Sequence, residues 1–293
     1  MTRPWHTLLP ALFLFAYFLG AVPFFWLHVR RHGLDREDRI ESRRPSRLFP
    51  KWLIYYLMWA IGPVERALVR SGVSPNLLTL SGLLVSSGAA ALVSHGFFDL
   101  GGWLYLFVGI LDIFDGRVAR ATGRVTRSGA FYDSVVDRYS ECAIFIGMFI
   151  YYHQSWVMYV ILAALIGSLM VSYTRARAEG LGVKDDATVG LMQRPERVFL
   201  LGVALAISPY EAAIWERPVH PDFYVSVAAV MFLALTANVT ALRRFWAVFR
   251  HLRAEEPALT PAPKPAPESA PASSRAPAPS PAGGPANAGA RTS

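Results

Sequence analysis

Charged residues are scarce in this sequence. Asp, Glu, Lys and Arg make up 17% of its 293 residues, whereas hydrophobic residues make up 53%, and the mean hydropathy is +0.32. An ordinary soluble domain is more charged and less apolar, so the composition predicts a membrane protein. Cysteine is scarcer still. The single residue Cys142 excludes an intramolecular disulfide bond and a cysteine-based zinc cluster, and its apolar surroundings are typical of a core position.

The sequence also lacks a nucleic-acid-binding motif, although its formal net charge is +8. Its arginines instead flank apolar segments, as at Arg30–Arg31, Arg43–Arg44 and Arg243–Arg244. Arginines in these places indicate membrane topology and contact with anionic lipid headgroups. We therefore expect membrane lipids, and no nucleic acid, among the partners of this chain.

Apolar segments long enough to cross a bilayer recur along the chain. We expect spans at residues 8–29, 74–93, 98–118, 131–152, 156–173, 194–208 and 223–242. The aromatic run Phe24–Trp26 and the missing cleavage motif favour an uncleaved first helix over a signal peptide. Residues 51–70 mix aromatic and charged side chains and contain Gly62–Pro63, which predicts an interrupted, amphipathic helix in the membrane interface.

The predicted fold is therefore all-α. It is a polytopic membrane helix bundle with a six-helix core, an extra N-terminal membrane helix and an interfacial amphipathic helix. Four regions follow: the N-terminal membrane helix (1–29), a cytosolic basic segment with the interfacial helix (30–73), the membrane domain (74–253) and a disordered tail rich in Pro and Ala (254–293). Lys and Arg residues are concentrated in alternate loops between the spans, which predicts an external N-terminus and a cytosolic tail.

Four aspartates form two pairs at the predicted cytosolic ends of neighbouring spans. Asp112 and Asp115 are three residues apart, and Asp133 and Asp137 are four apart, so each pair shares one helix face. Bare carboxylates at such a depth are costly and repel one another. Divalent cations with oxygen ligands from both pairs would remove that cost, so the pattern predicts a metal site.

The same aspartates belong to a longer pattern, D-x2-D-G-x2-A-R-x8-G-x3-D-x3-D, which begins at Asp112 and ends at Asp137. This pattern resembles the signature of the CDP-alcohol phosphotransferase family, and the likeness runs from about Ser74 to about Leu242. The resemblance implies an integral-membrane transferase of phospholipid biosynthesis. Such an enzyme joins a CDP-linked lipid to a polar alcohol and releases CMP, with two Mg²⁺ or Mn²⁺ ions as cofactors.

Carried over residue by residue, the resemblance implies specific roles for these positions. Asp112, Asp115 and Asp133 bind metal, and Asp137 contacts metal while acting as the general base. Gly116 and Ala119 allow close approach of the nucleotide because neither carries a bulky side chain, and Arg120 can grip phosphate with its planar fork. The full expected nucleotide set is Asp112, Gly116, Ala119, Arg120, Thr122 and Ser128. Gly129 has either a functional role or a simple packing role.

A second stretch of the sequence indicates which alcohol accepts the lipid phosphate group. The run Y-T-R-A-R-A-E-G-L-G followed by R-P-E-R resembles the phosphatidylinositol-phosphate synthase subgroup, which uses inositol phosphate. The resemblance implies that Arg175, Arg194 and Arg197 bind the acceptor phosphate. The subgroup commonly has Lys where this chain has Arg175, a change that keeps the charge and alters the geometry.

Other interpretations remain open at this stage. Glycerol phosphate, serine, or diacylglycerol with a soluble CDP-alcohol would also suit the aspartate pattern. A divalent-ion transporter would likewise place acids in a membrane, although it would not explain Gly116, Ala119 and Arg120 at their spacings. The resemblance further implies a homodimer, and the topology predicts a bacterial inner-membrane protein whose active site faces the cytosol.

Overall fold

The computed structural model describes residues 9–33, 50–183, 193–211 and 223–255. Within these ranges the secondary structure is entirely helical, so the predicted all-α fold is confirmed. The helices are α1 (Leu9–His32), α2 (Lys51–Arg70), α3 (Pro75–Ser94), α4 (Phe98–Ala121), α5 (Arg127–Tyr151), α6 (Val157–Gly180), α7 (Arg194–Ile207) and α8 (Tyr224–Glu255), with a short 3-10 helix at Ser208–Tyr210.

Two predicted regions fall outside the described residues. They are most of the basic segment, over residues 34–49, and the Pro/Ala-rich tail, over residues 256–293. The predicted limits of the four regions therefore stay a prediction.

Local capping explains where the helices next to the site begin. Ser74 caps α3, since its Oγ accepts a 3.2 Å hydrogen bond from the Leu77 N–H, and Pro75 fills the first helical position. Thr126 caps α5 in the same way, and α5 therefore starts at Arg127, earlier than the expected span at residue 131. Each cap satisfies a backbone donor that the helix itself leaves without a partner.

Three of the described helices are long and apolar enough to cross a membrane by length and composition: α3, α6 and α8. Helices α4 and α5 carry the aspartates within their length, and α7 has only 14 residues. Charged side chains of α4, α5 and α7, among them Asp112, Asp137 and Arg194, lie together, whereas Asp99 is buried near the opposite end of α4.

Close backbone packing holds the bundle together. A Cβ atom on Gly102 of α4 would lie 2.3 Å from the Ala206 nitrogen of α7, and one on Gly147 of α5 would lie 2.4 Å from the Ala90 oxygen of α3. Only glycine permits such approaches. The largest fully buried apolar side chains around them are Phe98, Tyr105, Ile144, Phe145, Met148, Ile161, Leu201, Leu205 and Leu233.

Helix α2 differs from the prediction in one respect. The expected interruption at Gly62–Pro63 is wrong, because α2 runs unbroken from Lys51 to Arg70 with Pro63 inside it. A proline removes only one backbone donor. The buried residues Tyr55, Tyr56 and Ile61 pack the helix before it, and the partly buried Leu68 and Val69 pack it afterwards.

One contact joins α1 to α2, and a second joins α2 to the bundle. The Tyr17 hydroxyl of α1 donates a 2.8 Å hydrogen bond to the Ala60 carbonyl of α2. Glu65 of α2 in turn forms an ion pair with Arg117 of α4. The N-terminal helices are thus linked to the helix that carries Asp112 and Asp115.

Candidate active site

Three of the four predicted aspartates, Asp112, Asp133 and Asp137, lie together in the structure. Asp112 lies in the second half of α4, and Asp133 and Asp137 lie in the first half of α5. One carboxylate oxygen from each of these three residues lies within 4.8 Å of the other two. Acids from two different helices thus surround one small volume.

Asp115 occupies a separate position beside this group. It is 6% exposed, and its Oδ2 accepts a 2.7 Å hydrogen bond from the Thr79 hydroxyl of α3. Thr79 therefore orients the fourth aspartate. Sequence reasoning missed Thr79 because the contact joins residues 36 positions apart, and no motif marks it.

Arg194 bridges the two helices that carry the acids. Its Nη1 lies 2.7 Å from Asp112 Oδ2 and its Nη2 lies 2.8 Å from Asp137 Oδ1. Such charge-assisted bonds from a planar fork are strong and directional. A capping interaction, in which the Gln193 N–H donates to Glu196 Oε2 at 2.7 Å, starts α7 at this point and so orients Arg194 toward the acids.

The donor set fits a divalent cation. Carboxylate oxygens are the ligands that Mg²⁺ and Mn²⁺ prefer. Moreover, Asp133 Oδ1 is buried and has no hydrogen-bond partner among the described residues. A buried carboxylate oxygen without a partner is costly, and a bound cation would satisfy it.

The residues expected to contact the nucleotide lie on the second half of α4, at its C-terminal cap and in the first turn of α5. A Cβ atom on Gly116 would lie 3.2 Å from Arg120 Nη1, so the Arg120 guanidinium folds back over Gly116. The Thr122 hydroxyl donates to the Val118 carbonyl at 2.7 Å. The Ser128 hydroxyl lies 3.3 Å from Thr126 Oγ1. Ala119 lies on α4 immediately before Arg120.

Gly129 has a structural explanation. Its N–H donates a 3.0 Å hydrogen bond to Thr126 Oγ1, and a Cβ atom there would lie 2.9 Å from that oxygen. Of the two roles that the sequence left open for Gly129, these contacts favour packing at the cap of α5.

The three arginines expected to bind the acceptor occupy different environments. Arg194 lies among the aspartates. The Arg175 side chain is 60% exposed at the end of α6, and its Nε donates to Glu179 Oε1 at 2.8 Å. Arg197 is 3% exposed and donates to both carboxylate oxygens of Glu141, at 2.9 and 3.2 Å. The acceptor role of Arg175 and Arg197 stays a prediction.

Sequence reasoning also missed Glu141 and Glu65, the partners of Arg197 and Arg117. Glu141 continues the four-residue spacing of Asp133 and Asp137, so a signal was present on α5. Glu65 comes from a different helix, and nothing in its surroundings marks it.

Comparison with known proteins agrees with this geometry. Residues 72–242 match the family model described as CDP-alcohol phosphatidyltransferase. A phosphatidylinositol phosphate synthase of Mycobacterium tuberculosis is 31% identical over 192 residues, which cover 64% of this chain and 84% of the relative. An archaetidylinositol phosphate synthase of Methanothermobacter thermautotrophicus is 34% identical over 184 residues, which cover 63% of this chain and 87% of that protein.

Solved structures give the same result. The crystal structure of the Mycobacterium tuberculosis phosphatidylinositol phosphate synthase with CDP-DAG bound is similar to this chain with a TM-score of 0.55 and 29% identity, over 64% of this chain and 92% of that one. A second structure of that enzyme, in complex with manganese and citrate, has a TM-score of 0.56 at 29% identity and covers 64% and 88% of the two chains.

The family match covers more than half of the chain and includes all four aspartates and Arg194. Its members are transferases, which favours an enzyme over an ion transporter. The chain is an integral membrane protein of the CDP-alcohol phosphatidyltransferase family.

Proposed function

We propose that this enzyme transfers the phosphatidyl group of CDP-diacylglycerol to inositol phosphate and releases CMP. The observation that carries the proposal is the meeting of Asp112, Asp133 and Asp137 with Arg194 at one end of the bundle. The three carboxylates can bind cations that hold the diphosphate of the donor. The Arg194 side chain can bind the phosphate of the acceptor. The relatives named phosphatidylinositol phosphate synthase support this choice of acceptor.

Asp112, Asp115, Asp133 and Asp137 would together hold two divalent ions, Mg²⁺ or Mn²⁺. When bound, these ions neutralise charge on the leaving phosphate and on the attacking oxygen. The buried oxygen of Asp133 and the short distances within the group support metal binding. Thr79 keeps Asp115 oriented through its hydrogen bond, so that α3 also contributes to the site.

Asp137 serves as the general base in this proposal. The acceptor hydroxyl gives its proton to the Asp137 carboxylate while its oxygen attacks the phosphorus atom that carries the diacylglycerol. The bond from that phosphorus atom to the CMP oxygen then breaks, and CMP leaves with the electron pair. Arg194 holds the Asp137 carboxylate from one side at 2.8 Å, which limits its rotation.

The nucleotide would lie along the end of α4. Gly116 and Ala119 leave room for it. Arg120, on the same segment, can donate hydrogen bonds to the phosphates of the nucleotide. Thr122, at the C-terminal cap of α4, and Ser128, in the first turn of α5, would border the nucleotide with their hydroxyl oxygens.

Arg194 is the best-placed residue to receive the acceptor phosphate. It uses one N–H of each terminal nitrogen on the aspartates, and its buried Nε has no hydrogen-bond partner among the described residues. Guanidinium offers five donors, so Arg194 can bind an anion without leaving the acids. Arg175, exposed at the end of α6, is a second candidate for the same phosphate.

The diacyl chains of the donor remain in lipid while the diphosphate reaches the aspartates. The sequence has Arg124 and Arg127 between the two aspartate pairs, and cations in such a position support a cytosolic active site in a bacterial inner membrane. We further propose a homodimer as the functional unit.

A panel of acceptors tests the proposal. Purified enzyme receives CDP-diacylglycerol, Mg²⁺ and one alcohol at a time: inositol phosphate, inositol, glycerol phosphate or serine. The expected result is a lipid product whose mass corresponds to phosphatidylinositol phosphate, with one CMP per product. A product with glycerol phosphate or serine only would keep the enzyme class and reject the acceptor.

Two variants test the residue roles. Asp137→Asn is expected to lower kcat by about 10²- to 10⁴-fold, the usual contribution of a general base. Arg194→Ala is expected to raise the KM for inositol phosphate. An Asp137→Asn enzyme with wild-type turnover, or an Arg194→Ala enzyme with an unchanged KM, would reject the corresponding role.

A further inference from the structure

Two cavities lie between α1 and α2. The larger has a volume of about 470 Å³ and lies along the middle of α1, where Ala16, Gly20 and Phe24 form one wall. The smaller has a volume of about 290 Å³ and lies toward the C-terminal end of α1, beside His28 and Gly33. Neither cavity is enclosed, so a ligand can enter each from outside the protein.

The two cavities adjoin at two residues of α2. Trp59 and Arg66 line both of them. The Arg66 guanidinium lies against the backbone of its own helix, since a Cβ atom on Gly62 would lie 3.4 Å from Arg66 Nη1. Space for a ligand therefore extends from the middle of α1, past a guanidinium group, to the C-terminal end of α1.

Polarity changes along this space. Apart from Arg66, the residues that line the larger cavity are apolar or aromatic. The smaller cavity adds the polar side chains of His28, Glu65 and Arg117. Because Glu65 forms an ion pair with Arg117, the charge of Arg66 is left in surplus. An apolar cavity thus leads into a polar one with a net positive charge.

A phospholipid has the same order of polarity, with apolar chains followed by an anionic phosphate. Benzene, with six carbon atoms, fills a cavity of about 150 Å³, so the larger cavity holds roughly 18 carbon atoms, the size of one acyl chain. Guanidinium groups bind phosphate through their planar fork, and basic pockets at the cytoplasmic ends of membrane helices bind acidic headgroups. The last turn of α1 carries Arg30 and Arg31, cations typical of the cytosolic side.

The candidate active site does not account for these cavities. The cavity at the aspartates is lined by residues of α3, α4, α5 and α7, among them Thr79, Asp112 and Arg194. Within the described residues it shares no lining residue with the two cavities of α1 and α2. Both of these helices also precede residues 72–242, which match the family model. The space between them is therefore separate from the part of the chain that the family model covers.

A helix of a partner protein would fit this space less well than a lipid. A helix about 10 Å across occupies roughly 420 Å³ in each turn of about 5.4 Å, so the larger cavity would hold only about one turn. An apolar helix would also bury the charge of Arg66, which is costly unless the helix supplies an acid. A lipid phosphate supplies that negative charge itself.

We propose that the space between α1 and α2 binds one acidic glycerophospholipid of the surrounding leaflet. One acyl chain lies against Gly20 in the larger cavity, and the phosphate lies on Arg66 where the two cavities adjoin. This lipid is a resident ligand and not the CDP-linked donor. Its headgroup lies beside the ion pair of Glu65 with Arg117, and so beside the contact between α2 and α4.

Native mass spectrometry of the full chain, purified in a neutral detergent and freed of lipid, tests the proposal. The protein is titrated with phosphatidylglycerol, which is anionic, and separately with phosphatidylcholine, which has no net charge. We expect one tightly bound phosphatidylglycerol per chain. Phosphatidylcholine should bind about fivefold more weakly, because it lacks the net charge that Arg66 attracts.

Arg66→Gln tests the phosphate contact. It removes the charge and should weaken phosphatidylglycerol binding about fivefold while leaving phosphatidylcholine binding unchanged. The matched control is Arg70→Gln, one turn later on α2, because Arg70 lines neither cavity. This control should bind both lipids as the wild type does.

Gly20→Leu tests the chain contact. A Cβ atom on Gly20 would have no atom of another described helix within 4 Å, so the leucine side chain enters the larger cavity without a clash. It should abolish specific binding of both lipids. Gly88→Leu is the matched control, because Gly88 is equally open and lies on α3, away from both cavities.

A second measurement follows the thermal unfolding midpoint. Phosphatidylglycerol should raise the midpoint of the wild type more than that of Arg66→Gln or Gly20→Leu, because a ligand stabilises the folded state that binds it. Without lipid, all three proteins should unfold at similar temperatures, which shows that the variants fold.

Three outcomes would overturn the proposal. One is equal phosphatidylglycerol affinity in the wild type, Arg66→Gln and Gly20→Leu. Another is a change of oligomeric state in Gly20→Leu, which would assign the groove to a second copy of the chain. The third is a raised KM for CDP-diacylglycerol in Arg66→Gln, measured with any alcohol that the enzyme uses, which would assign the groove to the donor. An unchanged KM is expected.

Discussion

Gly147 of α5 lies where this helix passes directly over the backbone of α3, so Gly147→Ala should be destabilising. A Cβ atom there would lie 2.4 Å from the Ala90 oxygen and 2.8 Å from the Ala90 Cα. Ordinary contact begins near 3.4 Å, so the helices must separate by about 1 Å to accept the methyl group. The obstructing atoms are backbone atoms, which no change of rotamer moves aside.

The magnitude follows from two opposing effects. Forcing packed helices apart costs about 1–3 kcal/mol of unfolding free energy, whereas replacing glycine by alanine inside a helix returns about 0.5–1 kcal/mol. The central values of these ranges leave a net loss of about 1.2 kcal/mol, which lowers the unfolding midpoint by roughly 2–5 °C for a chain of this size. Activity should also fall, because the separation disturbs the 2.6 Å hydrogen bond between Ser86 of α3 and the Ser140 carbonyl of α5.

Thermal unfolding of the purified protein in detergent, followed by loss of helical circular dichroism, measures this shift. Gly88→Ala on α3 is the matched control, because a Cβ atom on Gly88 would have no atom of another described helix within 4 Å. The control should keep or slightly raise the midpoint. If Gly147→Ala unfolds at the same temperature as Gly88→Ala, the argument from close helix packing is refuted.

Three further predictions concern the site. Thr79→Val removes the hydroxyl that donates to Asp115 and should lower kcat about 10- to 100-fold in a CMP-release assay, whereas Thr79→Ser should retain most of the activity; equal rates for both would contradict the role of this hydrogen bond. Glu65→Gln breaks the ion pair with Arg117 and should speed tryptic cleavage within α2, with unchanged cleavage as the contrary result. EDTA should stop CMP release, and Mg²⁺ or Mn²⁺ should restore it; release that continues in EDTA would argue against metal dependence.

Local features could be predicted from the sequence because they depend on neighbouring residues. Ser74 followed by Pro75 indicates a helix start, and the structure confirms it. The i,i+3 and i,i+4 spacings of the aspartates place each pair on one helix face, and the structure brings Asp112 together with Asp133 and Asp137. The motif spans both helices, which allowed their meeting to be expected.

Contacts between distant segments could not be predicted in the same way. Glu141 was visible as a continuation of the spacing on α5, but its partner Arg197 lies 56 residues away on another helix. The hydrogen bond from Thr79 to Asp115 likewise depends on how α3 packs against α4. The unbroken course of α2 through Pro63 depends on burial of its apolar face, which overrides the local tendency of proline to end a helix.

The ion pair between Glu65 and Arg117 has a mechanical consequence. It joins the amphipathic helix α2 to α4 at Arg117, which directly follows Asp115 and Gly116 in the sequence. Lateral pressure among lipid headgroups acts on a helix that lies at their depth. Because we expect α2 to lie at that depth, we predict that a change in its tilt displaces Arg117 and that the turnover rate varies with the headgroup composition of the surrounding leaflet.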